Sequence, residues 1–185
     1  MAGRAVAVSN KQTIFQTEWF SIEEEYFNHL ESLKGKPYYR INAPNGVIVL
    51  ALTEKKEIIL VKQFRPALNH YTLELPCGSI DGSETPLEAA KRELYEEAGY
   101  ICESLHYIGA GRVMMNRNNS HEFAFLGAGA TKTPGSSAKE DIEVVLVAGV
   151  DLKALVLSGQ FEQFTALALI VLADWKLGKQ FVGQS

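Results

Sequence analysis

Apolar and polar positions along this chain of 185 residues change rhythm several times, and each rhythm predicts an element. The segment "KQTIFQTEWFSIEEEYFN" interleaves aromatic and β-branched residues with polar ones, which suits strands, and "ESLKGKPYYRINA" predicts a turn followed by a further strand. In "NGVIVLALTEKKEIILVKQFRPAL" two apolar runs flank the charged turn "TEKKE", a hairpin-like signal. "HYTLELPCG" predicts another strand, stopped by Pro76 and Gly78. The period then changes. Leu87, Ala90, Leu94 and Ala98 recur at helical spacing and predict a packing face. Thr85 suits the N-cap, Pro86 the first helical position, Glu88 the reciprocal arm of a capping box, and Gly99 the stop.

Beyond this helix, "SLHYIGAGRVM" and "SHEFAFLGAGA" predict strands on either side of the polar "NRNN". A small-residue loop, "GAGATKTPGSSAKED", precedes the strand "IEVVLVAGVDL". "ALVLSGQFEQFTALALIVLADWKLG" predicts one or two helices, the last with Phe164, Leu167, Ala168, Val171, Leu172 and Trp175 toward the core. No repeat or low-complexity tract is present. The pattern as a whole predicts an α/β fold: a mixed sheet packed between helices, with residues 1–42 as an N-terminal β arm and residues 43–185 as the main domain.

Composition alters this picture little. Apolar residues at 46% and charged residues at 22% are ordinary for a globular chain. A formal charge of −4 argues against nucleic acid or an anionic membrane as the partner. Cys77 and Cys102 belong to no metal-ligand spacing and read as reduced thiols. The opening "MAGRAVAVSNKQTIFQ" lacks the apolar core of a leader, and "FTALALIVLADW" is too short to span a bilayer, so a cytoplasmic protein is expected.

Charge patterning within one helix changes the picture more. Glu93, Glu96 and Glu97 stand at i, i+3 and i+4 and share one helix face. Like charges so placed cost an isolated helix about 0.2–0.5 kcal/mol per pair. Hard divalent cations, which prefer oxygen ligands, would offset that repulsion. The plain alternative is a solvated face on which Glu88, Arg92 and Glu96 form an i, i+4 ladder.

The spacing decides between them. Gly78, Glu84, Arg92, Glu93, Leu94, Glu96, Glu97, Gly99 and Tyr100 resemble the Nudix box: Gly, five residues, Glu, seven residues, then Arg-Glu-apolar-x-Glu-Glu-x-Gly-apolar. A chance match has odds of roughly one in a million at ordinary residue frequencies. Tyr100 stands where an aliphatic residue is more usual. "VKQFRPALNHYTLELPCGSID" further resembles the segment before the box in ADP-ribose pyrophosphatases and related nucleoside-diphosphate-sugar hydrolases.

The resemblance implies a Nudix fold and a Mg²⁺-dependent pyrophosphohydrolase, with Mn²⁺ as an alternative cation. Its substrate would be a nucleoside-diphosphate sugar. Glu93 and Glu97 would be the principal ligands, joined by Glu96 and the Cys77 carbonyl, and Arg92 would orient the carboxylates. Glu84 would serve the geometry of the loop into the helix. The branch places its base on a late loop, here "GSSAKEDIEV"; Ala138 stands at that position, so Glu140 is taken as base or ligand, with Asp141, Glu143 and Glu122 behind it. Arg65 would grip the diphosphate. Trp19 is a candidate for stacking on the base, and the arm would pair two chains as a homodimer. Members preferring ADP-ribose tend to carry a proline about fifteen residues past the box, where this chain has Met115. That favours another sugar such as GDP-mannose, with Arg112, Asn116 and Arg117 contacting sugar or phosphate. A strict ADP-ribose pyrophosphatase, or a nucleotide sensor without turnover, are the other readings.

Overall fold

The computed structural model describes residues 7–178; the first six residues of the stretch read above for leader character lie outside it. The chain divides into two compact units, one comprising the residues up to Asn45 together with Arg112–His121, the other Gly46–Gly111 together with the residues from Glu122 onward.

In the first unit, strands β1 (Asn10–Gln16), β2 (Ser21–Tyr26) and β3 (Tyr38–Asn42) form an antiparallel sheet in that order. The alternation of β2 buries Glu23 and Glu25, and both find cations on the flanking strands: Lys11 at 2.5 Å and Arg40 at 2.7 Å. Residues 112–121 join this unit through Ile41, whose N–H donates to the Arg117 carbonyl at 2.8 Å. Arg117 also stacks over the Tyr38 ring, 4.5 Å from its centroid. The edge strand β1 leaves Ile14 and Phe15 exposed, and Trp19 in the following turn is 72% exposed.

The second unit holds β4 (Gly46–Thr53), β5 (Ile58–Arg65), β6 (His70–Glu74), β7 (Cys77–Ser79), α1 (Pro86–Ala98), β8 (Tyr100–Ile101), β9 (Leu105–Gly111), β10 (Glu122–Lys132), β11 (Ile142–Val147), α2 (Gly149–Leu157) and α3 (Phe164–Leu177). The mixed sheet runs β11-β5-β4-β10-β8, with β6 on β5, β7 on β4 and β9 on β10. β4 and β10 are parallel. The apolar run of β4 is continuous because both faces are covered. Val47, Val49 and Ala51 pack with Ala89, Ala90, Leu94 and Ala98 of α1. Ile48, Leu50 and Leu52 pack with Leu152 of α2 and Ala166, Leu169, Ile170 and Ala173 of α3. A mixed sheet between helices, as the sequence predicts, is therefore the architecture of this unit.

Several local expectations need correction. The hairpin signal at "TEKKE" makes a real turn, yet β4 and β5 pair only at Leu52 and Ile58. β4 takes its main partner from far down the chain, the strand β10, because a strand covered on both faces gains most in the middle of the sheet. Pro76 ends β6, but Cys77–Ser79 resume as β7 against β4. β10 runs to Lys132, well into the predicted small-residue loop. In α1, Leu87 is exposed and Ala89 is buried in its place. The face of α3 is rotated from the predicted one. Phe164 and Trp175 are 83% and 77% exposed, while Ala166, Leu169, Ile170 and Ala173 are buried.

Candidate metal and phosphate centre

Local signals build the helix that carries the acids. Thr85 Oγ1 accepts from the Glu88 N–H, and the Glu88 carboxylate accepts from the Thr85 N–H at 2.8 Å, a complete capping box. Pro86 occupies the first turn, and Gly99 closes the helix at φ +72°, a conformation that costs a glycine nothing. Glu88 is spent on the cap, so of the ladder of Glu88, Arg92 and Glu96 only the Arg92–Glu96 rung forms, at 3.4 Å. The rest of the Arg92 fork turns to Glu84.

The Arg92 guanidinium organises the acidic face. Its Nε and Nη2 donate to the Glu84 carboxylate at 2.8 and 3.0 Å, and Nη2 also donates to the Ser79 carbonyl at 2.8 Å. Nη1 donates to Glu93 Oε1 at 2.6 Å and lies 3.4 Å from Glu96 Oε2. The Glu84 pair is bidentate, which sets the plane of the guanidinium and hence the direction of its remaining N–H groups. Bonding to Arg92 holds the Glu84 carboxyl below its ordinary value.

Glu97 is anchored by the sheet. Its Oε2 accepts from the Cys77 N–H at 2.9 Å, at the start of β7. Burial first, and the neighbouring Glu93 charge, push the Glu97 carboxyl up to about 7 despite that bond. At the next position Gly78 leaves room for Glu93, since a Cβ there would meet the Glu93 carboxylate and oblige it to shift. A second cation enters from the loop before β11. Lys139 Nζ lies 2.7 Å from Glu96 Oε2 and 3.7 Å from Glu93 Oε2. Glu96 is lowered by Lys139 foremost, against burial.

Behind β7, Gln163 Oε1 accepts from the Leu75 N–H at 2.8 Å, and its Nε2 lies 3.5 Å from Cys77 Sγ. Arg65 closes its Nε and Nη2 on Glu74 at 2.7 and 2.5 Å, and Thr72 Oγ1 donates to the same carboxylate at 2.6 Å. A cleft of about 310 Å³ opens beside this pair, lined by Leu68, Leu73, Glu162 and Gln163 among others. Burial raises the Glu74 carboxyl, but the Arg65 and Thr72 bonds outweigh it and leave the group lowered.

The structure thus brings Cys77, Arg92, Glu93, Glu96 and Glu97 together. Arg65 is in the same unit with one edge of its fork committed to Glu74. Glu140 follows Lys139 in an exposed turn, ahead of Asp141 at φ +66°. Glu122 is half-buried at the start of β10, bonded to Thr165. Trp19, Arg112, Asn116 and Arg117 belong to the first unit. There Arg112 donates to the Asn119 carbonyl, the Asn116 carbonyl accepts from Tyr38, and Arg117 lies against Tyr38 and Tyr39. Sequence reasoning missed Lys139, Gln163 and Glu74. A search for acids had no reason to weigh a lysine, and nothing local marks Gln163.

Among the described residues, no three acidic, histidine or cysteine side chains are gathered tightly enough to form a ready cage for a metal ion. The donor chemistry still suits a hard divalent cation. Three carboxylates share one helix face, and Gly78 leaves room for one of them.

Comparison with known proteins places the chain in a family. The model of the NUDIX domain matches residues 43–166. An ADP-ribose pyrophosphatase of Bacillus subtilis (strain 168) is 38% identical over 104 residues, covering 54% of this chain and 56% of that protein. An ADP-sugar pyrophosphatase of Mus musculus is 36% identical over 109 residues, covering 52% and 49%. The chain thus spans about half the length of these curated relatives. A solved structure of an ADP compounds hydrolase has the same fold, with a TM-score of 0.81 over 98% of this chain and 100% of that one, at 19% identity. With its box folded as a capped helix and the domain model covering most of its length, the chain belongs to the Nudix family.

Proposed function

We propose that the chain hydrolyses the diphosphate of nucleoside-diphosphate sugars, releasing a nucleoside monophosphate and a sugar phosphate, with Mg²⁺ or Mn²⁺ held by Glu93, Glu96 and Glu97. One observation carries this reading: Glu97 is fixed by the Cys77 amide while Arg92, clamped by Glu84, directs Glu93. Acids held so firmly on one face make a site for charge rather than a solvated surface. When bound, the cation supplies an activated water and draws charge from the phosphate oxygens. The chain itself positions the carboxylates through Arg92, Cys77 and Gly78. Glu140 is assigned the attacking water's proton or a further ligand position, and Arg65 the diphosphate, through the part of its guanidinium that Glu74 leaves over.

Trp19 is assigned to the base, and Arg112, Asn116 and Arg117 to the sugar or a phosphate. The exposed Ile14, Phe15 and Trp19 of the arm support pairing of two chains there. A cytoplasmic location fits a nucleotide-sugar substrate; among the described residues no helix is long and apolar enough to cross a membrane. The two relatives named above put ADP-ribose and other ADP-sugars first as substrates, and the absence of a proline near Met115 keeps GDP-mannose as the alternative.

The test is Mg²⁺-dependent monophosphate release from ADP-ribose, ADP-glucose, GDP-mannose, UDP-glucose and a nucleoside triphosphate. Preference for one diphosphate sugar is the expected result. Cleavage of the triphosphate alone, or none with either cation, overturns the proposal.

A further inference from the structure

The loop before β11 is laid along the last turn of α1 by its backbone. Thr133 N–H donates to the Gly99 carbonyl at 3.0 Å, Ser136 Oγ to the same carbonyl at 2.8 Å, and Lys139 N–H to the Glu96 carbonyl at 2.9 Å. These bonds deliver the Lys139 ammonium to oxygens of Glu96 and Glu93.

The two cations on this face differ in kind. Arg92 is locked by Glu84 and the Ser79 carbonyl, and its side chain is 23% exposed. Lys139 sits on a flexible stem with its side chain 47% exposed, so its ammonium can move off the carboxylates without disturbing the fold. An exposed lysine–glutamate pair adds little to stability. Its effect falls on whatever else needs the same oxygens. A divalent cation taking Glu93 and Glu96 must displace an ammonium already bonded there, or bind beside a like charge.

We propose that Lys139 is a resident counter-cation that competes with the divalent cation for Glu93 and Glu96, and so sets the cation concentration at which the site fills. This rests on the reading of the box as a divalent-cation site.

The test is Mn²⁺ binding to the full chain, followed by loss of the free-ion electron paramagnetic resonance signal. Lys139→Met keeps most of the stem and removes the charge. It is expected to bind Mn²⁺ about tenfold more tightly than the unaltered chain, because a like charge is removed from beside the ion. Lys139→Arg, which keeps the charge, is expected to bind Mn²⁺ much as the unaltered chain does. Unchanged or weaker binding by Lys139→Met overturns the proposal. If that happens while the unaltered chain binds Mn²⁺ and Glu93→Gln does not, the box reading survives and only the role of Lys139 falls. Absence of saturable binding in both the unaltered chain and Lys139→Met overturns both. Melting curves give a second readout: added Mn²⁺ should raise the Tm of Lys139→Met by more than that of the unaltered chain, and equal rises count against the competition.

Discussion

The Glu97 carboxylate accepts a hydrogen bond from the main-chain amide of Cys77 at 2.9 Å, so an acid of the helix is aimed by a strand of the sheet. Glu97→Gln keeps the shape and loses the charge. Turnover of the preferred substrate should fall by about a hundredfold or more, with an unchanged circular dichroism spectrum. Near-normal turnover would remove Glu97 from the site.

Glu84 holds Arg92 through two parallel bonds. Glu84→Gln should lower kcat by about tenfold or more, as supporting groups around a metal site do, with KM moving less. Arg92→Lys should be no milder, since an ammonium cannot reproduce the fork. A full-rate Glu84→Gln enzyme would show that the clamp is ornamental.

Gly78→Ala places a methyl group against the Glu93 carboxylate. The carboxylate must move, so activity should drop by about tenfold while the main sheet still forms. Steady-state rates at saturating cation, with a melting curve alongside, decide this. Rates equal to those of the unaltered chain would mean that Glu93 has room to spare.

Burial pushes the Glu122 carboxyl above its ordinary value, and its bond with Thr165 only partly offsets this. A carboxyl raised on folding stabilises the fold in its protonated form. That contribution is whole below the unfolded value of about 4.3 and is lost as pH rises through the folded value. Glu122→Gln, neutral throughout, should therefore gain stability relative to the unaltered chain as pH climbs above about 4. Urea midpoints across that range check it; parallel curves would contradict the burial.

On α3, Leu169→Ala should cost about 2–4 kcal/mol, whereas Phe164→Ala and Trp175→Ala should each stay within about 0.5 kcal/mol, as exposed positions do. Denaturant unfolding separates these outcomes, and a large loss at Trp175 would restore the predicted face.

That contrast shows where sequence is legible. Helix α1 could be read nearly residue by residue because Thr85, Pro86, Glu88 and Gly99 mark its ends with side-chain chemistry, and its apolar positions stand out against charge. Helix α3 is apolar almost all round, so periodicity could not choose between two stripes. The choice fell to the one whose small Ala166 and Ala173 let Leu169 and Ile170 approach the sheet. Strand partners were the least legible, since the "TEKKE" turn advertises a neighbour while β4 finds its long partner in β10. Within the site, the acids stood out as a pattern, but Lys139 comes from a distant loop with no motif of its own.

The capping box has a consequence in time. Helix formation from local signals takes about a microsecond or less, whereas the parallel pairing of β4 with β10 must join residues as distant in the chain as Gly46 and Glu122 and is intrinsically slow. The Cys77 amide reaches Glu97 only once β7 has been pinned to β4. During refolding the acidic face should exist early and be aimed late, so that recovery of activity keeps time with the sheet and not with the helix.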